Sequence, residues 1–277
     1  MPKQNLIFDV GMHKGEDTDY YLSKGFEVVA FEADPDLVSF CKSRFIEKIK
    51  EKKLTIIEGA IVDKNFENKV KFFKNKKNSV WGTVIEDWAK RNQNEGADSE
   101  CIEVNSINFK KCLEQFGIPY YMKIDIEGMD VVCCKTLLDF SERPKYLSIE
   151  SEKIKFTELE TEFNLLEKMG YNKFKIIQQD GISKQKEKNP SQEKKFIDYK
   201  FIEGSSGLFG EDLPGNWIEK GQAIKEYEKI FYLYKVFGDK SFLRQNFLTK
   251  YFLKTFRKIT GIPLPGWYDT HAKIEDN

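Results

Sequence analysis

The sequence predicts an α/β protein with a mostly parallel central sheet and helices on both of its faces. Short apolar runs that fit buried strands alternate with longer segments whose apolar residues recur at helical spacing. Glycine or an acidic residue follows several of these runs, as expected where a strand or a helix ends. The first five predicted elements are strands at 5–10, 27–32 and 54–61 and helices at 17–24 and 35–52.

The same alternation returns in the second half of the chain. The predicted elements there are strands at 120–126, 145–150 and 173–178 and helices at 130–138 and 159–169. Between the halves, residues 69–74 alternate in polarity, which predicts a strand that pairs antiparallel with a later one. A short strand at 102–105 and a helix at 108–116 follow, whereas residues 79–96 show no clear period.

Two polar segments follow the last of these strands. Residues 183–195 are rich in lysine and glutamine and have no apolar face, which predicts a mobile surface loop. Residues 201–215, FIEGSSGLFGEDLPG, follow one more short predicted strand and are rich in turn formers. Their glycine content is typical of a lid or rim loop.

The character of the chain changes after residue 216, where two aromatic-rich helices are predicted at 218–237 and 241–259. The segment 240–259 has apolar residues on one side and lysine and arginine on the other. This pattern favours packing on the domain or a homodimer contact, with a membrane surface or an anionic polymer as the alternative. The sequence thus predicts a main domain, 1–216, and a helical, aromatic and basic C-terminal extension, 217–277.

Composition excludes several classes of protein. The 277 residues include 45 basic and 45 acidic ones, so the chain has no overall charge that would favour nucleic acid as a partner. Five cysteines without paired spacing predict buried, reduced thiols in a cytosolic protein. The polar start gives no signal peptide, and no apolar run approaches the roughly 20 residues of a membrane span. We therefore expect a cytoplasmic location.

A candidate ligand site surrounds the turn after the first strand. Asp9 closes that strand, and Gly11 and Gly15 flank the turn into the helix. Glycine lets backbone come close to a ligand, and the start of a helix offers unpaired N–H groups to a negative group. Glu32 closes the second strand, where an acid reaches the two hydroxyls of a ribose. The set predicts a nucleoside ligand at the carboxyl end of a parallel sheet.

The loop sequence favours S-adenosylmethionine over a dinucleotide. Nicotinamide and flavin dinucleotides need GxGxxG to hold their pyrophosphate, whereas this loop reads GMHKG and follows an acid. Asp9 repels a pyrophosphate but suits an ammonium group. S-adenosylmethionine carries an amino group, a carboxylate and a ribose but no phosphate. These groups would fit Asp9, the glycine loop and Glu32, respectively.

Several segments resemble the FkbM-type methyltransferases in sequence, order and spacing. They are FDVGMHKGEDT, AFEADP, EGAIVD, YMKIDIEGMD and YLSIE, with a weaker likeness in SSGLFGEDLPGNW and WYDTHA. The resemblance implies a Rossmann-like class I methyltransferase fold and an S-adenosylmethionine-dependent O-methyltransferase, with sugars and polyketide-type hydroxyls among the family's acceptors. Many relatives carry Asn and a small residue in the glycine loop, where this chain has Met12 and His13.

Acids at the ends of later strands are candidates for the chemistry of methyl transfer. The fourth strand of the predicted sheet ends in KIDIEG, which puts Asp125 beside the donor and Glu127 in the loop that follows. One of them would orient the donor and the other the acceptor hydroxyl; alternatively, Asp125 caps the next helix and Glu127 is solvated. Glu150 closes the next strand on the same rim, and His13 in the donor loop is a candidate proton acceptor.

Two further predictions concern the rim of the site. His271, in WYDTHA, would fold back over the site with Asp269 or else dock for packing. Asp125, Glu127 and Glu150 are hard oxygen ligands that suit magnesium, but we favour a site without an obligatory metal. No His or Cys spacing predicts zinc.

The adenine is predicted near the third strand, where Ala60 and Ile61 give an apolar wall and Asp63 a partner for the exocyclic amine. Trp81 and Trp88 are either core residues or a stacking platform for a sugar ring. The predicted donor-binding residues are Asp9, Gly11, Met12, His13, Gly15, Glu32, Ala33, Ala60, Ile61 and Asp125. The predicted catalytic residues are Asp125, Glu127, His13 and Glu150.

The function predicted from these features is S-adenosylmethionine-dependent O-methylation of a hydroxyl, and the resemblance implies a saccharide or glycolipid-type acceptor. One alternative is a methyltransferase for another small molecule or a protein. The Asn/Asp-Pro-Pro-aromatic element of nitrogen-methylating enzymes is absent after the fourth strand, which disfavours an amino acceptor. A second alternative is a non-catalytic Rossmann-like module that binds a nucleoside and serves assembly. The missing GxGxxG disfavours a nicotinamide oxidoreductase.

Overall fold

A computed structural model describes residues 1–63, 68–75, 82–86, 99–126, 128–202, 204–237 and 266–275. These residues form two compact units. Unit 1 comprises Met1–Ile149 and Ile182–Pro214, and unit 2 comprises Glu150–Gly181 and Gly215–Asn277. Outside the described residues lie Glu127, Trp81, Trp88 and the predicted helix at 241–259.

Unit 1 is therefore discontinuous in sequence. It ends at Pro214, close to the predicted domain boundary after residue 216. Residues Glu150–Gly181, which the sequence placed in the main domain, instead belong to unit 2.

The described regular elements follow the predicted alternation closely. The strands are β1 (Lys3–Val10), β2 (Glu27–Glu32), β3 (Leu54–Glu58), β4 (Ala60–Ile61), β5 (Lys69–Asn75), β6 (Ser99–Ile107), β7 (Pro119–Ile124), β8 (Tyr146–Glu150), β9 (Lys173–Gln178) and β10 (Tyr268–Lys273). The helices are α1 (Glu16–Ser23), α2 (Pro35–Arg44), α3 (Ile46–Lys50), α4 (Phe109–Phe116), α5 (Asp130–Leu137), α6 (Phe156–Lys168) and α7 (Lys220–Phe237).

The described strands at the centre of unit 1 run parallel in the order β3-β2-β1-β7-β8. This is the strand order of a Rossmann-like sheet, and it confirms the predicted α/β class. Residues 6–10 of β1 are all buried, as expected for a parallel strand with both faces covered. The order reverses between β1 and β7, so a crevice is expected beyond their carboxyl ends.

A smaller sheet branches from the end of β3. There β4 pairs parallel with β6, and β6 pairs antiparallel with β5, which confirms the predicted antiparallel pairing of residues 69–74. The prediction of one strand at 54–61 was wrong, because Gly59 separates β3 from β4 with a φ of +143°. A Cβ at Gly59 would lie 2.5 Å from the carbonyl oxygen of Asn105, so the two sheets meet where only glycine fits.

The predicted single helix at 35–52 was also wrong. It is interrupted at Phe45, whose φ of −108° and ψ of 23° lie outside the helical region and separate α2 from α3. The Phe45 ring packs beneath the turn before α1, where a Cβ at Gly15 would lie 2.4 Å from a ring carbon. Phe45, at the break between the two helices, thus supports the glycine loop.

Residues 183–195 form a largely exposed surface segment, as their composition predicted, and buried ion pairs anchor it to the rest of unit 1. Its mobility stays a prediction. The ammonium group of Lys24, on a side chain with no exposed surface, forms ion pairs with Glu187 and with Asp212, the latter at 3.1 Å. It also donates to Ser191 Oγ at 2.7 Å. Some charged residues of this segment are therefore paired inside the protein and not solvated. The short strand predicted before residue 201 is absent, since residues 196–200 have no regular structure.

The predicted tail residue His271 lies in a strand of unit 2. β10 pairs antiparallel with β9, and His271 stands opposite Lys175. Burial, together with the charge of Lys175, lowers the pKa of His271 to about 3. His271 is therefore neutral and packed in a sheet, which corresponds to the predicted alternative of a tail docked for packing.

Two glycines with nearly the same backbone allow a test of the close contact between β1 and β7. Gly11 and Gly25 have φ angles of +89° and +90°. A Cβ at Gly11 would lie 2.0 Å from the carbonyl oxygen of Asp125, whereas a Cβ at Gly25 would meet nothing within 4 Å. We expect Gly25→Ala to cost about 1–2 kcal/mol of unfolding free energy, from the left-handed backbone alone. Gly11→Ala should cost clearly more, because the strand end must also move.

Urea unfolding followed by circular dichroism measures both variants. Equal losses for the two would contradict the contact between Gly11 and the end of β7.

Candidate active site

A cavity of about 840 Å³, including its open mouth, lies in unit 1 beyond the carboxyl ends of β1, β2 and β7. Its position is the crevice at which the strand order reverses, where ligands bind to sheets of this kind. Every residue that lines it belongs to unit 1.

The loop from Gly11 to Gly15 forms one side of the cavity and is tied to β2. The backbone N–H groups of Gly11 and Met12 donate to the carbonyl oxygen of Phe31 at 3.1 and 2.9 Å. Gly15, with a φ of +80°, begins α1 in the left-handed conformation. Sequence alone therefore places the loop correctly, because its glycines provide the turn that the strand-to-helix connection requires.

Glu32 lies at the end of β2 and is 9% exposed. Its two carboxylate oxygens accept hydrogen bonds from the backbone N–H groups of His13 and Asp34, at 2.9 and 2.8 Å. Burial nevertheless raises the pKa of Glu32 to about 7. Each carboxylate oxygen has a second lone pair, so the group can still accept hydrogen bonds from a ligand.

The wall next to Glu32 is apolar. Ala33, Ala60 and Ile61 line it, as predicted from their places after β2 and in β4. Further apolar side chains come from the smaller sheet and its surroundings: Phe72, Val84 and Met129. Asp63 is not among the residues that line the cavity. An apolar wall beside an acid is the environment that a flat base attached to a ribose requires.

A buried cation, Lys123, also lines the cavity. Its Nζ donates to the carbonyl oxygen of Gly11 at 3.0 Å. Carboxylate oxygens of Asp9, Asp17 and Asp125 lie 3.6, 3.4 and 3.6 Å from it. A buried lysine requires such partners, because an unpaired charge in the interior is very costly.

Asp9 lies below the cavity rather than in its lining. Its carboxylate is fully buried and accepts a hydrogen bond from Thr18 Oγ1 at 2.5 Å. Burial raises the pKa of Asp9 to about 6, against the lowering effect of Lys123. The assignment of Asp9 to the donor's ammonium group stays a prediction, and in this structure its contacts are with Lys123 and Thr18.

Three further acids line the cavity: Asp125, Asp17 and Glu16. The side chain of Asp125 is 47% exposed. Asp17 accepts a hydrogen bond from the backbone N–H of Ser206 at 2.8 Å, which holds the glycine-rich segment against α1. Glu16 Oε1 lies 3.1 Å from Nδ1 of His13. Gly204 lines the cavity as well, in agreement with the rim position predicted for its segment.

The structure gathers most of the predicted site residues. Those lining the cavity are Gly11, Met12, His13, Glu32, Ala33, Ala60, Ile61 and Asp125. Gly15 supports the loop without lining it, and Glu150, whose carboxylate lies 3.4 Å from Lys153 Nζ, does not line it either. Glu127 lies outside the described residues.

Sequence reasoning missed Lys123, Glu16 and Asp17 as lining residues. A usable signal existed for Lys123, because a lysine in an otherwise apolar central strand must find buried acids. No comparable signal existed for Phe72 or Met129, since apolar residues outside the main sheet fit any core.

A metal finds no ready site in the part of the chain that the structure describes. No three His, Cys, Asp or Glu side chains of those residues are grouped so that they could hold an ion. Since Glu127 is not described, the expectation that no metal is obligatory stays a prediction.

A family model described as a methyltransferase FkbM domain matches residues 9–173, which is more than half of the chain. The chain belongs to the FkbM methyltransferase family. It is therefore a methyltransferase that uses S-adenosylmethionine, as the glycine loop and Glu32 predicted. A comparison with curated proteins finds no match.

Two solved methyltransferases show how distant the structural similarity is. A SAM-dependent methyltransferase from Archaeoglobus fulgidus is 12% identical, with a TM-score of 0.38 over 97% of this chain and 86% of its own. A precorrin-6y C5,15-methyltransferase from Geobacter metallireducens is 11% identical, with a TM-score of 0.35 over 68% of this chain and 72% of its own. Similarity at this level has no bearing on the acceptor.

No helix among the described residues is long and apolar enough to cross a membrane.

Replacing Lys123 tests the buried ion cluster. At about pH 8, we expect Lys123→Met to lower the unfolding free energy by about 3–5 kcal/mol, because Asp9 and Asp17 lose their counter-charge. At about pH 5 the loss should be smaller. Burial has raised the pKa of Asp9 to about 6, so its carboxyl takes up a proton there and no longer needs the cation.

Urea unfolding at the two pH values measures this difference. Lys110→Met is the matched control, because Lys110 pairs with Asp139 at 3.0 Å on the surface and should contribute less than about 1 kcal/mol. An equal loss for Lys123→Met at both pH values would show that the buried carboxylates are not its partners.

Proposed function

We propose that this methyltransferase transfers the methyl group of S-adenosylmethionine to a hydroxyl of a saccharide or glycolipid-type acceptor. The observation that supports it most is that apolar and hydrogen-bonding side chains line the same cavity. Apolar residues lie beside Glu32, and His13, Glu16, Lys123 and Asp125 supply further polar groups.

The apolar wall and Glu32 fit the nucleoside of the donor. Glu32 would accept hydrogen bonds from the ribose hydroxyls, and the wall of Ala60, Ile61 and Phe72 would cover the adenine. The loop of Gly11 and Met12 would lie along the amino-acid part of the donor. When bound, S-adenosylmethionine supplies an electrophilic methyl group on a sulfonium.

The polar side chains of the cavity fit an acceptor with several hydroxyls. Hydrogen-bonding side chains in a partly enclosed site orient a polyol, because each one fixes a hydroxyl in direction as well as in distance. Asp125 is the described acid of the cavity lining with the most exposed carboxylate, so it is the candidate to orient either the acceptor hydroxyl or the donor's ammonium group. We retain Glu127 in the other of these two roles and Glu150 as a further candidate on the rim.

Binding of the donor product is the first measurement. We expect S-adenosylmethionine and S-adenosylhomocysteine to bind in isothermal titration and NADH not to bind, with or without magnesium. Glu32→Ala should weaken binding of S-adenosylhomocysteine by about 1–3 kcal/mol, through lost ribose hydrogen bonds. Glu27→Ala is the control, because Glu27 is at the other end of β2 and pairs with Lys53 at 3.0 Å.

Absence of binding to the wild-type protein would refute the donor site and favour the alternative of an assembly module. Unchanged affinity in Glu32→Ala would refute the ribose assignment alone.

The acceptor is tested with a panel of methyl glycosides of neutral hexoses and deoxyhexoses, together with a lysine-containing peptide. Release of S-adenosylhomocysteine and mass spectrometry of the product identify the methylated atom. We expect methylation of a sugar hydroxyl. Methylation of the peptide amine only, in a protein that binds the donor, would refute the proposed acceptor.

A further inference from the structure

His13 and Glu16 form a hydrogen-bonded pair at the edge of the cavity. Nδ1 of His13 lies 3.1 Å from Oε1 of Glu16, and both residues line the cavity. Burial raises the pKa of the Glu16 carboxyl, but the hydrogen bond and charge of His13, a backbone hydrogen bond and the charge of Lys123 together outweigh burial, so that its pKa lies below the usual value. An ionised carboxylate only accepts hydrogen bonds, which places the hydrogen of the pair on Nδ1 of His13.

The backbone holds the His13 ring in a fixed position. His13 has a φ of +50°, in the left-handed region that few residues other than glycine adopt. Its N–H donates to Glu32 Oε2 at 2.9 Å, and its carbonyl oxygen accepts from the Cys41 thiol at 3.3 Å. Both peptide groups are thus anchored. Backbone strain of this kind persists where the surrounding structure fixes it, and it is frequent in active sites.

We propose that His13 accepts the proton of the acceptor hydroxyl and that Glu16 is the positioning residue that keeps Nε2 basic. This inference rests on the proposed function. With the hydrogen on Nδ1, the lone pair of a neutral ring is on Nε2. The acceptor oxygen forms its bond to the methyl carbon while the carbon–sulfur bond breaks and sulfur keeps the electron pair. The hydroxyl proton moves to Nε2 of His13 and from there to solvent.

The other described ionisable groups of the cavity suit this step less well. Lys123 is surrounded by three carboxylates and is the cation that they require. Glu32 already accepts two backbone hydrogen bonds. Asp125 is 47% exposed, whereas an imidazole is suited to accept a proton at neutral pH.

The glycine loop of this chain differs from that of many FkbM-type relatives, which carry Asn and a small residue where this chain has Met12 and His13. An amide cannot take up a proton near neutral pH, so His13→Asn removes the proposed base.

Nuclear magnetic resonance of the imidazole nitrogens tests the pair without any acceptor. The chain has only two histidines, and His13→Asn identifies the signals of each. Because burial lowers the pKa of His271 to about 3, its ring stays neutral and is an internal reference. We expect the neutral His13 ring to carry its hydrogen on Nδ1. In Glu16→Gln, which keeps the shape but removes the charge, the fraction of the neutral ring with its hydrogen on Nδ1 should fall.

Kinetics then test the role in methyl transfer, with the best acceptor of the sugar panel. We expect His13→Asn and Glu16→Gln each to lower kcat by about a hundredfold, and the double variant to lose little more, because the residues act as a unit. Affinity for S-adenosylhomocysteine should change less than about threefold, since neither side chain is assigned to the ribose or the adenine. Lys14→Gln, at an exposed position of the same loop, is the control that should keep its activity.

A wild-type His13 ring with its hydrogen on Nε2 would overturn the pair. An unchanged fraction of the ring with its hydrogen on Nδ1 in Glu16→Gln would overturn it as well. Full activity of His13→Asn would overturn the role of His13 as base. Failure of the proposed function gives a different result. In that case the wild-type protein binds no S-adenosylhomocysteine or methylates no sugar, while the resonance measurement still decides whether Glu16 sets the state of His13.

Discussion

The ammonium group of Lys123 is the interaction on which the geometry of the site depends. It joins the end of β7 to Asp9 of β1, to Asp17 of α1 and to the backbone of Gly11. Because a buried charge is tolerated only with its partners in place, these elements cannot shift independently. Asp17 also accepts a hydrogen bond from the backbone N–H of Ser206, so the same cluster holds the glycine-rich segment in place.

The acids around this cluster have pKa values that are shifted in opposite directions. Burial raises the pKa of Glu32 to about 7 and that of Asp9 to about 6. The pKa of Glu16 is instead lowered by His13 in spite of burial. Acids whose pKa values are shifted in opposite directions within one site are frequent in active sites. Binding a donor and moving a proton need groups in different ionisation states.

The sequence predicted the main sheet and the strand-end residues of the site well, since both depend on local patterns. Apolar runs mark β1, β2 and β7, and the residues that follow them, such as Gly11, Glu32 and Asp125, necessarily meet at one edge. The errors have long-range causes. The break at Phe45 is favoured by contact with Gly15, and the end of β3 at Gly59 by the approach of β6. Neither cause is visible in the residues next to the break.

Composition does not show which residues of 183–195 are anchored in the interior. Lysine and glutamate look the same in a sequence whether water or an opposite charge surrounds them. Most of the segment is exposed, whereas Glu193 is 2% exposed and accepts from the Tyr120 hydroxyl at 2.9 Å. The signal for this burial lies at the other end of the chain, in Lys24 at the end of α1.

The discontinuity of unit 1 has a consequence for the order in which the nascent chain can fold. The segment that matches the family ends at residue 173, yet the counter-ions of Lys24 and the Phe209 ring, stacked 4.7 Å from that of Tyr121, belong to Ile182–Pro214. While the ribosome is still adding those residues, Lys24 lacks the counter-ions Glu187 and Asp212, and Tyr121 lacks the stacked Phe209 ring. Completion of unit 1 therefore waits for the emergence of a segment well beyond the family match, and a protein truncated at the end of the match would keep the donor loop but lack this part of its core.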